Sequence, residues 1–210
     1  KLLQGRCPPY GEGITYWPLI EILRTLLQAQ EGETIEILQD RFFQFVTQTL
    51  NKAKRSEPPE EIAETLLRSI GRDLSGKVFS ADKSWSRRDY QGSMRNTTTT
   101  LKQGGGTQVA LLRAWRVLLE ALAEQQPLII VVDDLQWADE ALLDLLEYLT
   151  ERITNMPVLF LGPARPDFFE RRRDWGGGQR NFTTIDLEAL STEESNELVD
   201  ALLNFSELPE

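Results

Sequence analysis

The 210-residue sequence predicts an α/β fold in which helices flank a parallel sheet. Three observations carry that prediction. Leu128 to Asp134 (LIIVVDD) is a short, β-branched apolar run of the kind that forms a strand buried on both faces of a parallel sheet. A second such run, VLFLGPARP, starts at Val158, and a helical pattern from about Asp139 to Thr154 separates the two. Helix, strand, helix, strand at this spacing is the pattern of a doubly wound sheet, because parallel neighbours need a crossover of a dozen or more residues.

The remaining elements follow from the same periodicities. Leu2 to Cys7 reads as a short strand closed by Pro8 and Pro9, with Gly11 and Gly13 marking an irregular loop. From Pro18, which suits a first helical turn, Leu19, Ile22, Leu23, Leu26 and Leu27 recur at helical spacing. Further helices are predicted over about Thr34 to Lys54 and, behind the pair Pro58 and Pro59, over Pro59 to Ile70. Between Gly71 and Gly106 the composition turns polar, with threonine from Thr97 to Thr100 and glycine from Gly104 to Gly106, which predicts a long, flexible loop. Helical spacing returns from about Thr107 to Gln126, and Pro127 ends it. Past VLFLGPARP come a basic, glycine-rich turn (RRRDWGGG), a shorter predicted strand (FTTIDL), and a helix opened by a Ser191/Glu194 capping box. The expected organisation is an α/β domain over 1–188, with a helical insertion at about 18–126, and the start of a helical lid at 189–210.

Composition narrows the chemistry. With 23 basic and 33 acidic residues the net charge is −10, which disfavours a whole-surface grip on nucleic acid or an anionic membrane. The sequence has no histidine and a single cysteine, Cys7, so Ser/His and Cys/His catalysis, the usual zinc sites and an internal disulfide are excluded. The longest apolar run, Leu128 to Val132, falls far short of the roughly 20 residues that span a bilayer. A cytoplasmic location, with no direct nucleic-acid or membrane partner, is the resulting expectation. Lys1 opens straight into KLLQGRC, which reads like the middle of a larger protein.

The most informative residues are Asp133 and Asp134. A strand that ends in adjacent carboxylates presents them at the carboxyl rim of the sheet, where α/β folds bind ligands. A carboxylate at such a rim can hold a hydrated Mg²⁺ ion, which prefers hard oxygen ligands, or orient or deprotonate a water. The alternative is that both merely cap the next helix, where Asp is favoured.

Extended to PLIIVVDDLQWADEALLDLLEYL, the segment resembles the Walker B region of STAND/AAA-type P-loop ATPase modules in multidomain bacterial signalling regulators, including LuxR-type transcription activators and cyclase-linked ATPases. GRCPPYGEGITYWPLIEIL and VLFLGPARPD, the latter followed by LEALSTEE, agree with that family in the same order, and the matches cover roughly half of the chain. Gln136 stands where the family usually has histidine. The resemblance implies ATP and Mg²⁺ as cofactors, Asp133 as the metal and nucleotide contact, Asp134 as the hydrolytic acid, and Arg165 as a sensor of the γ-phosphate. Arg165 could instead form a structural ion pair with Asp167 or a neighbouring helix. Tyr10, Tyr16 and Trp17 would lie beside the nucleotide or simply pack in the core.

The phosphate-binding Walker A loop has only a near-match, GRDLSGKV, in which Val78 replaces the metal-binding hydroxyl and a helix, rather than a strand, precedes the glycines. The resemblance places the first strand and the P-loop upstream of Lys1, so the 210 residues alone are expected to hydrolyse nothing and to bind ATP very weakly. Two functions stay open: a nucleotide-driven regulatory switch gating a fused effector domain (a cyclase or a DNA-binding segment, with a lean to the cyclase), and a non-hydrolysing interaction scaffold. Self-association is a further expectation, because an incomplete sheet has an exposed edge. Arg171 to Arg173 are read as a solvated face, Trp137 as a packing residue, and Gly104 to Gly106 as a flexible link.

Overall fold

In the computed structural model the chain is described over residues 1–9, 15–30, 33–70, 105–179 and 181–204. Strands β1 (Leu2–Arg6), β2 (Leu128–Asp133) and β3 (Val158–Leu161) pair in parallel in the order β1-β2-β3. Their register sets Leu2 beside Ile129, Arg6 beside Asp133 and Leu128 beside Val158. β1 and β2 therefore finish level with one another, and their carboxyl ends share one rim. This is the P-loop NTPase-like α/β arrangement expected from the sequence.

The crossover from β1 to β2 runs through α1 (Trp17–Leu27), α2 (Ile35–Lys52), α3 (Pro59–Ile70) and α4 (Gly105–Ala123). That from β2 to β3 needs only a 3₁₀ turn, Leu135–Trp137, and α5 (Glu140–Arg152). α6 (Asp167–Arg171) follows β3, and α7 (Thr192–Asn204) comes later. Pro18 lies in the first turn of α1, where its missing N–H costs no helical hydrogen bond, and Gln28 ends the helix in the left-handed region (φ 52°). Leu3, Ile130 and Val132 of the sheet meet Leu19 and Leu23 of α1, Trp115 and Leu118 of α4, and Leu142 and Leu146 of α5 in one core. Arg55, just past α2, pairs with Glu120 at 3.1 Å and Glu124 at 2.7 Å, which fastens the end of α2 to α4. The chain divides into two compact units, Lys1–Trp175 and Gly176–Glu210. In the second, the Ser191/Glu194 capping box forms: Glu194 donates its N–H to Ser191 Oγ at 3.2 Å, and Ser191 donates its own to Glu194 Oε2 at 2.8 Å.

Three local expectations are corrected. β2 and β3 are not buried on both faces: Ile129 is 39 %, Leu159 50 % and Leu161 44 % exposed, whereas Leu128, Ile130 and Val132 are buried. Alternate residues of a strand face opposite sides, and the described helices cover only one of them. FTTIDL forms no strand; Ile185 and Leu187 are exposed and no described strand pairs with them. β-propensity expresses itself only where a neighbour supplies packing and hydrogen bonds. Gly105 and Gly106 belong to the first turn of α4 rather than to a flexible link. The near-match Gly71–Val78, the threonine run and Tyr10 lie outside the described residues. No helix among those described is long and apolar enough to cross a membrane.

Candidate functional site

The site begins with a glycine. Gly5 sits in β1 directly beneath the start of α1, and a Cβ there would lie 2.1 Å from the carbonyl oxygen of Pro18. Without a side chain, strand and helix approach closely enough for Glu21 to reach over the strand end. Glu21 Oε2 accepts the backbone N–H of Arg6 at 2.7 Å, and its Oε1 accepts the indole N–H of Trp17 at 2.9 Å. Helix α1 thereby forms one wall of a cleft of about 810 Å³ over the carboxyl rim of the sheet. Arg24 lies on that wall.

Asp133 and Asp134 form the floor. Gln4 of β1 donates to Asp133 Oδ2 at 2.6 Å, across the β1–β2 pairing. No described residue donates to the other carboxylate oxygen. Asp134 leaves the strand in the left-handed region, with φ 59° and ψ 45°, a conformation that Asp tolerates better than most side chains. This turns its carboxylate back toward β1. Arg6 Nε donates to Oδ2 at 2.5 Å and Gln136 Nε2 donates to Oδ1 at 2.9 Å. The Arg6 hydrogen bond, and after it that of Gln136, hold the Asp134 carboxyl below the usual carboxylate range, so it is ionised and acceptor-only at neutral pH.

The opposite wall is the segment after β3. Pro163, Ala164 and Arg165 line the cleft, and the Arg165 guanidinium is near enough to add a favourable charge at Asp134. Pro163 accepts the N–H of Leu135 at 3.1 Å, which ties this wall to the 3₁₀ turn. The structure thus brings Asp133, Asp134 and Arg165 to one cleft. Neither aspartate caps the next helix: Asp139 does, accepting the Leu142 N–H at 2.9 Å, while Asp134 makes no capping bond.

Other residues take places that sequence reasoning did not assign. Gln4, Arg6, Glu21 and Arg24 line the cleft unforeseen; the available signal was that GRC ends a strand beside the one carrying the acids. Tyr16 is buried, and Trp17 serves to hold Glu21, so both act as scaffold. Trp137 is half-exposed. The basic run is not simply solvated: Arg171 Nη2 donates to the Ala138 carbonyl at 3.0 Å, and Arg172 pairs with Glu140 and with Asp144, the latter at 3.3 Å. These bonds brace α6 against α5. Cys7 is buried, and loss of solvation, reinforced by the carboxylates of Asp134 and Asp139, pushes its thiol up to about 12, which makes it inert.

A cleft at the carboxyl rim of a parallel sheet, floored by two acids and edged by arginines, is the layout of a nucleotide-binding α/β domain. The family model of the AAA ATPase domain matches residues 1–161. The chain belongs to that family, that of P-loop AAA-type ATPase modules. The match spans all three strands, and Arg165 lies just beyond it. No curated protein and no solved structure gives a significant match.

Proposed function

We propose that this ATPase module works as a regulatory switch in a multidomain signalling protein, its nucleotide state controlling a fused cyclase or DNA-binding output. The observation that carries the reading is the convergence of Asp133, Asp134 and Arg165 on one cleft, supported by the positive side chains of Arg6 and Arg24 on its walls. Such a site has an acid for the cation, an acid for the attacking water and a guanidinium for the departing phosphate.

Among the described residues no three His, Cys, Asp or Glu side chains gather into a metal cage. The donor set fits Mg²⁺, which keeps several waters and takes one or two carboxylates together with nucleotide phosphates. Asp133 would hold the hydrated ion, and the ion when bound would neutralise charge on the phosphates. Gln4 fixes one Asp133 oxygen and leaves the other for that task. Asp134, held ionised by Arg6 and Gln136, is better suited to orienting a water than to taking its proton, because a weak base has little driving force for proton transfer. Arg165, exposed at the cleft edge, would read whether a γ-phosphate is present, and residues 189–210 would open a helical lid segment.

The full-length protein provides the test. Its cyclase or DNA-binding output is measured with ADP, ATP and a non-hydrolysable ATP analogue, for the wild type and Arg165→Ala. The switch predicts an output that differs several-fold between diphosphate and triphosphate states, and a variant in which the difference disappears. An output indifferent to nucleotide would favour the non-hydrolysing scaffold.

A further inference from the structure

We infer that Gln136 is the positioning residue that couples the Arg165 segment to the Asp134 carboxylate, a role that deepens the ATPase reading above and rests on it. Gln136 is only 4 % exposed, which is unusual for a neutral amide unless both of its ends are satisfied. Both are. Its Oε1 accepts the backbone N–H of Arg165 at 3.1 Å, and its Nε2 donates to Asp134 Oδ1 at 2.9 Å. A backbone N–H can only donate and an ionised carboxylate can only accept, so the orientation of the amide is dictated by its partners.

The consequence is a continuous chain of contacts: Arg6 to Asp134, Asp134 to the Gln136 amide, and the amide to the Arg165 backbone. A second tie runs beside it, from the Leu135 N–H to the Pro163 carbonyl at 3.1 Å. Leu135 also packs so closely on Gly162 that a Cβ there would lie 2.4 Å from its Cδ1. The segments leaving β2 and β3 are thus built as one piece. When the exposed Arg165 guanidinium is drawn to an anion, the displacement of its backbone reaches Asp134 through the amide. Gln136 borders the cleft with both ends of its amide already engaged by Asp134 and by the Arg165 N–H, and so it sets where Asp134 points.

The chemistry required at position 136 is one donor toward a carboxylate and one acceptor toward an N–H, about an amide's width apart. Glutamine meets it without titrating. A neutral histidine side chain also offers one donor and one acceptor. Glutamate keeps the acceptor but sets a second anion against Asp134, and leucine removes both bonds.

Two measurements test the coupling. In ¹⁵N-labelled protein, Asp134→Ala is expected to move the Arg165 amide resonance, and to move it far less in a Gln136→Leu background, because the path between them is gone. In the full-length protein, Gln136→Leu and Gln136→Glu are expected to lower kcat about tenfold, the size of a lost charge-assisted hydrogen bond, with KM for ATP changed by no more than about twofold. Gln136→His is expected to bring kcat back to within about threefold of wild type. Should the leucine variant fail to fold, the contrast between the Glu and His variants carries the same decision. The inference is overturned by an unchanged kcat in Gln136→Glu, by a loss shared equally between kcat and KM, or by an Arg165 resonance that responds to Asp134→Ala equally without Gln136. A wild type that hydrolyses no nucleotide would defeat the ATPase reading, and the resonance measurement would still judge the coupling.

Discussion

Replacing Gly5 with alanine is the sharpest structural perturbation this fold offers. The new methyl would lie 2.1 Å from the Pro18 carbonyl oxygen, 2.6 Å from its carbonyl carbon and 2.7 Å from its Cα. All three are backbone atoms, so no side chain can rotate away. Ordinary contact requires roughly 1 Å more separation, which means lifting the start of α1 off β1 and disturbing the packing of Leu19 and Leu23 against Leu3. Overpacking in a close-packed region costs about 1–3 kcal/mol, and a backbone-to-backbone clash belongs at the upper end. Taking ~3 kcal/mol and a urea dependence of ~2 kcal/mol/M, the unfolding midpoint should fall by about 1.5 M. The same shift would pull Glu21 from the Arg6 N–H and widen the cleft. Gly162→Ala is the control: its methyl would meet Leu135 Cδ1, the movable end of a side chain, and about 1 kcal/mol is expected. Equal and small losses in the two variants would refute the reasoning that close strand–helix approach builds the site.

Further expectations follow from single groups. Arg6 first, and Gln136 second, depress the Asp134 carboxyl, and a depressed carboxyl stabilises the fold above its unfolded value of about 3.9 and loses that contribution as pH falls through the native value. Wild type should therefore lose more stability than Asp134→Asn between about pH 5 and 2; parallel acid-denaturation profiles would contradict the Arg6 pairing. Cys7, buried with its thiol raised to about 12, should alkylate on the order of 10³-fold more slowly at pH 8 in the native protein than in urea, and native rates within tenfold of the denatured ones would contradict its burial. Asp139→Ala removes the cap of α5 and should cost about 1 kcal/mol by thermal unfolding, whereas an unchanged Tm would show that the Leu142 bond contributes nothing.

What could be read in advance was local chemistry. Apolar spacing placed the helices, Pro59 marked the start of α3, and the Ser191/Glu194 pair announced α7, because each signal lies within a turn or two of the element it specifies. β2 was legible as a strand from its β-branched run, but which of its faces would be covered depends on helices brought from elsewhere in the chain. Asp133 and Asp134 could be placed at a rim because the strand ends there; that Asp139 would cap the helix, freeing them, required the turn geometry that puts Asp134 in the left-handed region. Gln4 and Arg6 escaped notice for a different reason. Their roles come from strand register across 129 and 128 residues of sequence, and register is a tertiary property. Arg172 was missed similarly: its partners Glu140 and Asp144 belong to a helix on the far side of β3 in sequence, so a charge run that looked solvated became a brace.

In the proposed switch, Asp133 manages a hydrated magnesium ion beside a triphosphate at the end of β2. Magnesium-dependent ATP turnover by the full-length protein, compared between wild type and Asp133→Ala at saturating nucleotide, tests it most directly. A fall in kcat of about 100-fold or more, of the order seen when a single electrostatic catalytic group is removed, is the predicted result; turnover within twofold of wild type would contradict it.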